Sequence, residues 1–239
     1  MTINTNKILN EVTAYMNPNT QHKYQQKRSF ISGLTADFMN QLSEVRDIYN
    51  QEPDMFFSTI KMNDSFMLKI PKNQRATVIE DITLDFTKRL NNYLIKHPKR
   101  VCNQQYKVRP FIGIENRDLM GFDTVEHSHS ILMMNPFHRR EHQINDNHLQ
   151  YLALRIITES SPFQTRTDNH TVNLKRDCHS IQIDPLVVSE DVEKTLGYLL
   201  KTATLSDNEN LFAVLNNNSM EKFYETKNAQ RPSSYSEVT

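Results

Sequence analysis

The sequence predicts an α+β domain with a central antiparallel β-sheet, helices packed on it, and an N-terminal helical extension. Three observations predict this fold class. Short runs rich in β-branched and aromatic residues alternate with long amphipathic stretches, two such runs follow each other directly in the middle of the chain, and residues 1–50 show helical periodicity. The predicted order of elements is β-β-α-β-β-α-β-α.

The N-terminal helices are predicted from apolar residues spaced three and four apart. Ile8, Leu9, Val12 and Tyr15 share one face of a first helix, and a second helix covers residues 35–49. Residues 16–28 between them are polar and contain a proline, so this stretch is predicted to be a loop.

Strands and helices alternate in the rest of the chain. Residues 55–62 and 65–70 are predicted to be two paired strands, and residues 74–95 carry the broadest apolar helical face. The remaining predicted elements are a strand at 108–115, a loop at 116–124, a strand at 127–134, a helix at 139–160, a strand at 179–185 and a helix at 189–202.

The chain of 239 residues has room for one domain and an appendage, since domains commonly contain about 100–200 residues. We therefore predict an N-terminal extension at 1–50, a single functional domain at 51–216, and a polar tail at 217–239 that is disordered.

Composition excludes several classes of protein. Hydrophobic residues make up 37% of the chain and the formal net charge is +0, so general disorder is excluded and polyanion binding requires a local patch. Four glycines are too few for a glycine-rich nucleotide loop, so no small-molecule cofactor is expected. The chain shows no apolar run near the ~20 residues of a membrane span and no secretory signal pattern, so a cytoplasmic protein without a membrane partner is expected.

The sequence His127-Ser128-His129 predicts a metal site. Side chains alternate along a strand, so both imidazoles project from one face with Cα atoms about 6–7 Å apart. Glu115 ends the preceding strand, and a hairpin would return its carboxylate to the imidazoles, whereas Glu126 points to the opposite face. Two nitrogens and a carboxylate suit Mg²⁺ or Mn²⁺ and also zinc. The alternative interpretation is a pair of ordinary polar histidines.

Tyr198 and Lys201 form a second candidate group on the predicted helix at 189–202. The leucines of this helix cluster on one face, and Tyr198 and Lys201 lie about 60° apart on the other. A phenol has an ordinary pKa near ~10, and a neighbouring ammonium and a metal-polarised phosphate would assist its attack as a nucleophile. The alternative is a surface tyrosine beside a solvated lysine.

A stretch free of acidic residues forms the third candidate group. Contact with a phosphate backbone is the functional interpretation, and a solvated helix end and loop is the alternative. The basic residues concerned are Lys96, Lys99, Arg100, Lys107 and Arg109, together with Arg139 and Arg140 after the second strand of the hairpin.

Taken in order, these segments resemble the HUH endonuclease superfamily, and specifically the rolling-circle replication initiators of plasmids and small phages. The resemblance covers residues 55–203 and rests on FFSTIKM, DFTKRLNNYL, RPFIGIE, HSHSILMMNP and GYLLK. The family's histidine pair would be His127 and His129, its third metal ligand Glu115, and its nucleophile Tyr198, with Lys201 in a Tyr-x-x-Lys arrangement.

The chain departs from the family pattern at two positions near the site. Ser128 stands where a bulky hydrophobic residue normally separates the histidines, and Thr202 stands one turn after Tyr198, so the chain is similar to the single-tyrosine members. The chain also contains no GxxxxGK[ST] motif, so the helicase fused to some viral relatives is not expected.

The resemblance implies a DNA nicking and joining enzyme whose nicking domain is residues 51–216. A divalent metal, Mg²⁺ or Mn²⁺, would polarise a phosphate of single-stranded DNA at a replication origin. Tyr198 would form a 5′-phosphotyrosyl bond and release a 3′-hydroxyl that primes replication. Further partners under this interpretation would be a host helicase or polymerase.

Three other functions stay open at this point. A transposase or relaxase of the same superfamily would share the chemistry. A nucleic-acid-binding replication regulator would keep the fold without catalysis. A metal-dependent hydrolase would use the histidines to activate water, with Tyr198 incidental.

Overall fold

Helices and strands alternate along the chain, and most lie where the sequence predicts them. The computed structural model describes residues 2–16, 18–95, 103–117, 123–138, 146–165, 170–205 and 212–213. The helices are α1 (Thr5–Ala14), α2 (Gln21–Tyr49), α3 (Asp64–Met67), α4 (Lys72–Leu94), α5 (Asp146–Glu159), α6 (Leu174–Asp177) and α7 (Ser189–Leu205), with 3₁₀ turns at Pro18–Thr20 and Gln104–Tyr106. The strands are β1 (Asp54–Met62), β2 (Arg109–Arg117), β3 (Asp123–Met134), β4 (Phe163–Gln164), β5 (Thr171–Val172), β6 (Cys178–Leu186) and β7 (Phe212–Ala213).

The main sheet is antiparallel throughout, with the strand order β6-β1-β3-β2-β7. Four of these strands are long, and β7 adds a two-residue pairing to the outer side of β2. The short strands β4 and β5 form a separate hairpin. The prediction of an α+β fold with helices packed on an antiparallel sheet is therefore confirmed.

Each face of the sheet packs against its own group of helices. On one face, apolar residues of α4 and α5 form a hydrophobic cluster with β1, β2, β3 and β6. On the other face, α1, α2 and α7 pack against Phe111, Ile131 and Met133. Because successive side chains of a strand point to opposite faces, Ile131 and Met133 of β3 face α7, and Leu132 and Met134 face α4.

The N-terminal extension is more helical than predicted. The predicted loop at residues 16–28 is wrong for its second half, because α2 already begins at Gln21 and runs for 29 residues. Gln, Lys and Arg have high helix propensity, so a polar stretch is compatible with a helix. Tyr24 and Ile31 are both buried and lie seven residues apart, which continues the apolar stripe of Phe38 and Val45 toward the N-terminus.

The predicted strand at residues 65–70 is also wrong. The helix α3 and a following turn occupy this segment, with Met67 and Ile70 buried and Leu68 exposed. Burial three residues apart is the spacing of a helical turn rather than of a strand. Moreover, β1 already pairs with β3 on one side and β6 on the other, so the sheet offers no place for a further strand beside it.

Several predictions fall on residues that the structure does not describe. The predicted tail at 217–239 lies outside the described residues, as do most of the loop at 116–124 and the first part of the helix predicted at 139–160. Among the basic residues, the same holds for Lys96, Lys99, Arg100, Arg139 and Arg140.

The outer edge of β6 is bound by a side chain of α5. Gln150 Nε2 donates a hydrogen bond of 3.0 Å to the Ile181 carbonyl, and Gln150 Oε1 accepts one of 2.9 Å from the Ile183 amide. One carboxamide therefore satisfies a donor and an acceptor on the side of β6 away from β1. Within the described residues, no helix has the length and apolar character needed to cross a bilayer.

Candidate active site

The β2–β3 hairpin brings one carboxylate and two imidazoles together. In the antiparallel register Glu115 lies opposite His127, and His127 and His129 point to the same face of β3. One ligand atom from each of these three residues lies within 4.8 Å of the others. Glu126 points to the other face, where it forms an ion pair with Arg75 at 3.5 Å. The structure therefore groups Glu115, rather than Glu126, with the histidines.

Two side chains of α7 reach the same carboxylate. Lys201 Nζ lies 3.0 Å from Glu115 Oε1, and the Tyr198 hydroxyl donates a hydrogen bond of 3.0 Å to Glu115 Oε2. Glu115 Oε2 also lies 2.9 Å from His129 Nε2 and 3.5 Å from His127 Nε2. The four other residues singled out by the sequence as metal ligands or catalytic groups thus converge on Glu115.

The burial of Lys201 differs from what the helical pattern suggests. Leu196, Leu199 and Leu200 of α7 pack into the core as predicted. Tyr198 is half-buried, but Lys201 has 0% exposure. A buried ammonium requires a counter-charge because desolvation of an unpaired ion costs several kcal/mol. Glu115 provides that counter-charge, so the ion pair is both a structural element and part of the site.

The charges at the site perturb several pKa values. Burial alone would raise the pKa of Glu115, but hydrogen bonds from His127 and His129 and the Lys201 charge outweigh it and hold this pKa well below its usual range. Burial, followed by the charge and hydrogen bond of Glu115, raises the pKa of Tyr198 above its usual range. Burial also lowers the pKa of His129, although Glu115 opposes this effect. Glu115 is therefore an ionised acceptor and Tyr198 a neutral donor.

The hydrogen bonding of His127 fits a bound cation. His127 Nδ1 lies 3.1 Å from the Val125 carbonyl, which only accepts hydrogen bonds, so Nδ1 carries the proton. Nε2 lies 3.5 Å from Glu115 Oε2; it donates a hydrogen bond to this oxygen in the protonated ring and presents a lone pair to it in the neutral ring. Two acceptors that face each other repel unless a proton or a metal ion lies between them. With His129 Nε2 nearby, these atoms make a donor set of the kind that holds a divalent metal.

Two residues of β1 fix the ring of His129, and neither is predicted from the sequence. Thr59 Oγ1 lies 3.0 Å from His129 Nδ1, and the Phe57 ring stacks on the imidazole with centroids 5.4 Å apart. A hydroxyl both donates and accepts, so Thr59 can serve either tautomer of His129. The alternation of side chains along β1 places Phe57 and Thr59 on one face of the strand. The sequence does not show that β3 is the strand beside them.

The Tyr198 ring is surrounded by charged and aromatic groups. Lys201 Nζ lies 4.1 Å from its centroid, within the range of a cation–π interaction. The rings of His129, Phe57 and Tyr15 approach it at interplanar angles of 86°, 86° and 89°, with centroid separations of 5.1, 6.3 and 5.5 Å. Perpendicular contacts of this kind are favourable between aromatic rings.

Ser128 is accommodated by polar packing rather than by an apolar contact. Its side chain is completely buried on the α4 face, where its hydroxyl hydrogen bonds to the Thr83 hydroxyl at 2.7 Å. Thr83 also hydrogen bonds to the Ile79 carbonyl within α4. A serine between the two histidines is therefore matched by a threonine on the facing helix.

Lys107 and Arg109 are the two members of the predicted basic group that the structure describes, and both are buried. Lys107 and Arg109 are 7% and 3% exposed, and Arg109 donates a hydrogen bond to Gln104 Oε1 at 3.0 Å. The structure thus places these two cations inside the protein, and their contact with a phosphate backbone stays a prediction. The other five basic residues lie outside the described chain.

Comparison with known proteins adds no assignment to this geometry. No family model, no curated protein and no solved structure matches the chain.

Proposed function

We propose that this protein nicks and rejoins single-stranded DNA through a covalent tyrosine linkage, and that it does so at an origin of rolling-circle replication. One observation carries the proposal. A phenol and an ammonium from α7 and two imidazoles from β3 meet at the single carboxylate of Glu115. The order of sequence motifs that resembles replication initiators supplies the substrate class.

Tyr198 is the proposed nucleophile. Its hydroxyl oxygen would form a bond to the scissile phosphorus while the bond from phosphorus to the 3′-oxygen breaks. The phenol loses its proton and the departing 3′-oxygen gains one, which makes it a hydroxyl. The bond energy is conserved in the phosphotyrosyl ester, and a later 3′-hydroxyl reverses the reaction by attacking it.

The chain's other residues hold the reacting groups and balance their charge. Lys201 lies over the Tyr198 ring and beside Glu115, where it stabilises negative charge that develops on the phenol oxygen. Thr59 and Phe57 orient His129, and the Val125 carbonyl orients His127. Rigid positioning of this kind is a large part of catalysis by proximity.

Glu115, His127 and His129 are the residues that would hold a divalent metal, and Mg²⁺ or Mn²⁺ are the ions proposed. When bound, such an ion supplies Lewis acidity toward a phosphate oxygen and neutralises part of the Glu115 charge that raises the pKa of Tyr198.

The proposal is tested by forming the protein–DNA conjugate. Labelled single-stranded DNA carrying candidate origin sequences is incubated with the protein and Mn²⁺, and the mixture is separated by denaturing electrophoresis. The wild type should give a band of protein linked to DNA. Tyr198→Phe should lower the amount of this conjugate by a factor of about 10³ or more while DNA binding persists, because the nucleophile is lost. Tyr93→Phe is a matched control, since Tyr93 lies on the opposite face of the sheet and hydrogen bonds to Glu159.

A second candidate function is a metal-dependent phosphodiesterase in which water attacks. The observation that favours it is the state of Tyr198, whose hydroxyl donates a hydrogen bond to Glu115 and whose pKa is raised. The same gel separates the two functions. Cleaved DNA with a free 5′-phosphate and no protein-linked product, unchanged in Tyr198→Phe, would select the hydrolase. DNA binding without cleavage under any divalent metal would select a regulator that keeps the fold without catalysis.

A further inference from the structure

The N-terminal helix α1 packs directly against the helix that carries Tyr198. The closest approach is at Gly197, where a Cβ atom would lie 2.4 Å from Glu11 Cβ and 3.1 Å from the Glu11 carbonyl carbon. A Cβ contact of 2.4 Å essentially never occurs in proteins, so the crossing of α1 and α7 requires glycine at this position. The residue at the crossing is the immediate neighbour of Tyr198 in the chain.

Polar contacts fix α1 at its other end. The Asn4 amide donates a hydrogen bond of 2.7 Å to Glu193 Oε1, and Lys7 Nζ lies 3.0 Å from Glu193 Oε2. Glu193 is buried and lies one turn before Gly197 on α7. Ile8 and Val12 are fully buried between these helices. The position of α1 relative to α7 is thus set by an apolar face, a buried carboxylate and a glycine.

This arrangement places the Tyr15 ring against the Tyr198 ring. Tyr15 is the C-cap residue of α1, and its ring meets Tyr198 at 5.5 Å and 89°. The other groups that contact the Tyr198 ring are Phe57, His129 and Lys201, which also contact one another or the ligands of the proposed metal site. Tyr15 is the one contact in this set that comes from the N-terminal helices.

We infer that Tyr15 is a positioning residue for Tyr198, and that α1 is part of the active site rather than an accessory to it. The catalytic part of this inference rests on the proposed function. The structural part is that the Tyr15 ring sets where the Tyr198 side chain lies, and it is independent of the proposed function.

The structural part is tested by ¹⁹F NMR of the full chain with 3-fluorotyrosine incorporated at position 198. Tyr15→Phe keeps the ring and should leave the resonance of residue 198 unchanged, whereas Tyr15→Leu removes the ring and should shift or split it. Tyr93→Leu is the matched control, because it removes another half-buried tyrosine from the opposite face of the sheet. A Tyr15→Leu spectrum identical to the wild type would overturn the inference.

The catalytic part is tested by the rate of conjugate formation with single-stranded DNA and Mn²⁺ as DNA concentration is varied. Tyr15→Leu should lower the saturating rate about tenfold or more, since a small misplacement of a nucleophile is costly, and should leave the DNA concentration for half-maximal rate unchanged. Tyr15→Phe should stay within about twofold of the wild type. Equal loss in Tyr15→Phe and Tyr15→Leu, or a change in half-maximal concentration alone, would contradict a positioning role for the ring.

Gly197→Ala provides a second variant that does not touch Tyr15. It forces α1 and α7 apart and should also shift the ¹⁹F resonance of residue 198 and slow the reaction. The two proposals fail in different ways. If the wild type forms no conjugate, the proposed function is refuted and the NMR comparison still decides the inference. If the wild type reacts and the Tyr15→Leu rate and spectrum match it, the inference alone is refuted.

Discussion

Glu115 and Lys201 depend on each other at the scale of single residues. Glu115 is 5% exposed, Lys201 is 0% exposed, and their side chains form an ion pair at 3.0 Å. Two buried opposite charges are tolerable together, but either one alone is an uncompensated ion in a medium that solvates it poorly. The ion pair at the centre of the proposed active site therefore also contributes to whether the chain folds.

Replacing Glu115 should destabilise the protein. We expect Glu115→Gln to lower the free energy of unfolding by about 3–5 kcal/mol, because the Lys201 ammonium loses its counter-charge. Chemical denaturation measures this. Adding Lys201→Met should restore most of the loss, whereas Glu159→Gln, which removes an exposed pair with Arg155, should have a much smaller effect because exposed ion pairs contribute little. No recovery in the double variant would argue against the ion pair as the cause.

Divalent metal should raise the thermal stability of the protein. An ion that binds only the folded state stabilises it by about 2.7 kcal/mol at a hundred times its Kd. We expect Mn²⁺ to raise the melting temperature and EDTA to bring it back to the metal-free value. His127→Ala should remove the increase caused by Mn²⁺. His179→Ala is the control because His179 is exposed on β6. A wild-type melting temperature that does not change with Mn²⁺, Mg²⁺ or Zn²⁺ would refute the metal site.

At the scale of helices and strands, two glycines of the chain are expected to respond oppositely to the same substitution. Gly33 is exposed on α2, and a Cβ there meets nothing within 4 Å, so Gly33→Ala should stabilise the protein by about 0.5–1 kcal/mol through helix propensity. Gly197→Ala should destabilise it by about 1–3 kcal/mol, because α1 and α7 cannot approach. Equilibrium unfolding of both variants checks the contrast, and equal effects would contradict the close crossing.

The sequence predicts those elements whose pattern is local. The two strands follow each other along the chain, and a hairpin between them returns Glu115 to His127 and His129, so these three residues could be grouped in advance. The helix α7 follows from its apolar spacing. By contrast, the segment of α3 is wrongly predicted as a strand, because a run of six residues with apolar side chains fits either period.

The contacts that the sequence does not reveal join distant segments. Thr59 meets His129 across 70 positions, and Tyr15 meets Tyr198 from the opposite end of the chain. Nothing local in either segment specifies the partner, because strand order and helix crossing are decided by packing of the whole core. The buried state of Lys201 is not predictable for the same reason, since it depends on where Glu115 lies.

At the scale of the whole molecule, the N-terminal extension shares its core with the sheet. Ile8, Phe38 and Val45 belong to the same hydrophobic cluster as Ile131 of β3 and Leu199 of α7. The two helices therefore cover the sheet face on which the candidate site lies. A domain boundary at residue 50 stays a prediction, but the packing indicates that residues 1–50 fold together with the sheet and α7.

The carboxamide of Gln150 affects how readily molecules of this protein associate through the outer edge of β6. A terminal strand with free amides and carbonyls recruits strands from other molecules, and Gln150 occupies such groups at Ile181 and Ile183. Gln150→Ala should therefore aggregate faster on mild heating, visible as earlier light scattering, whereas Gln182→Ala, on β6 itself, should not. If both variants scatter like the wild type, Gln150 does not prevent edge-to-edge association. If Gln150→Ala alone scatters earlier, this one side chain helps to keep the protein monodisperse.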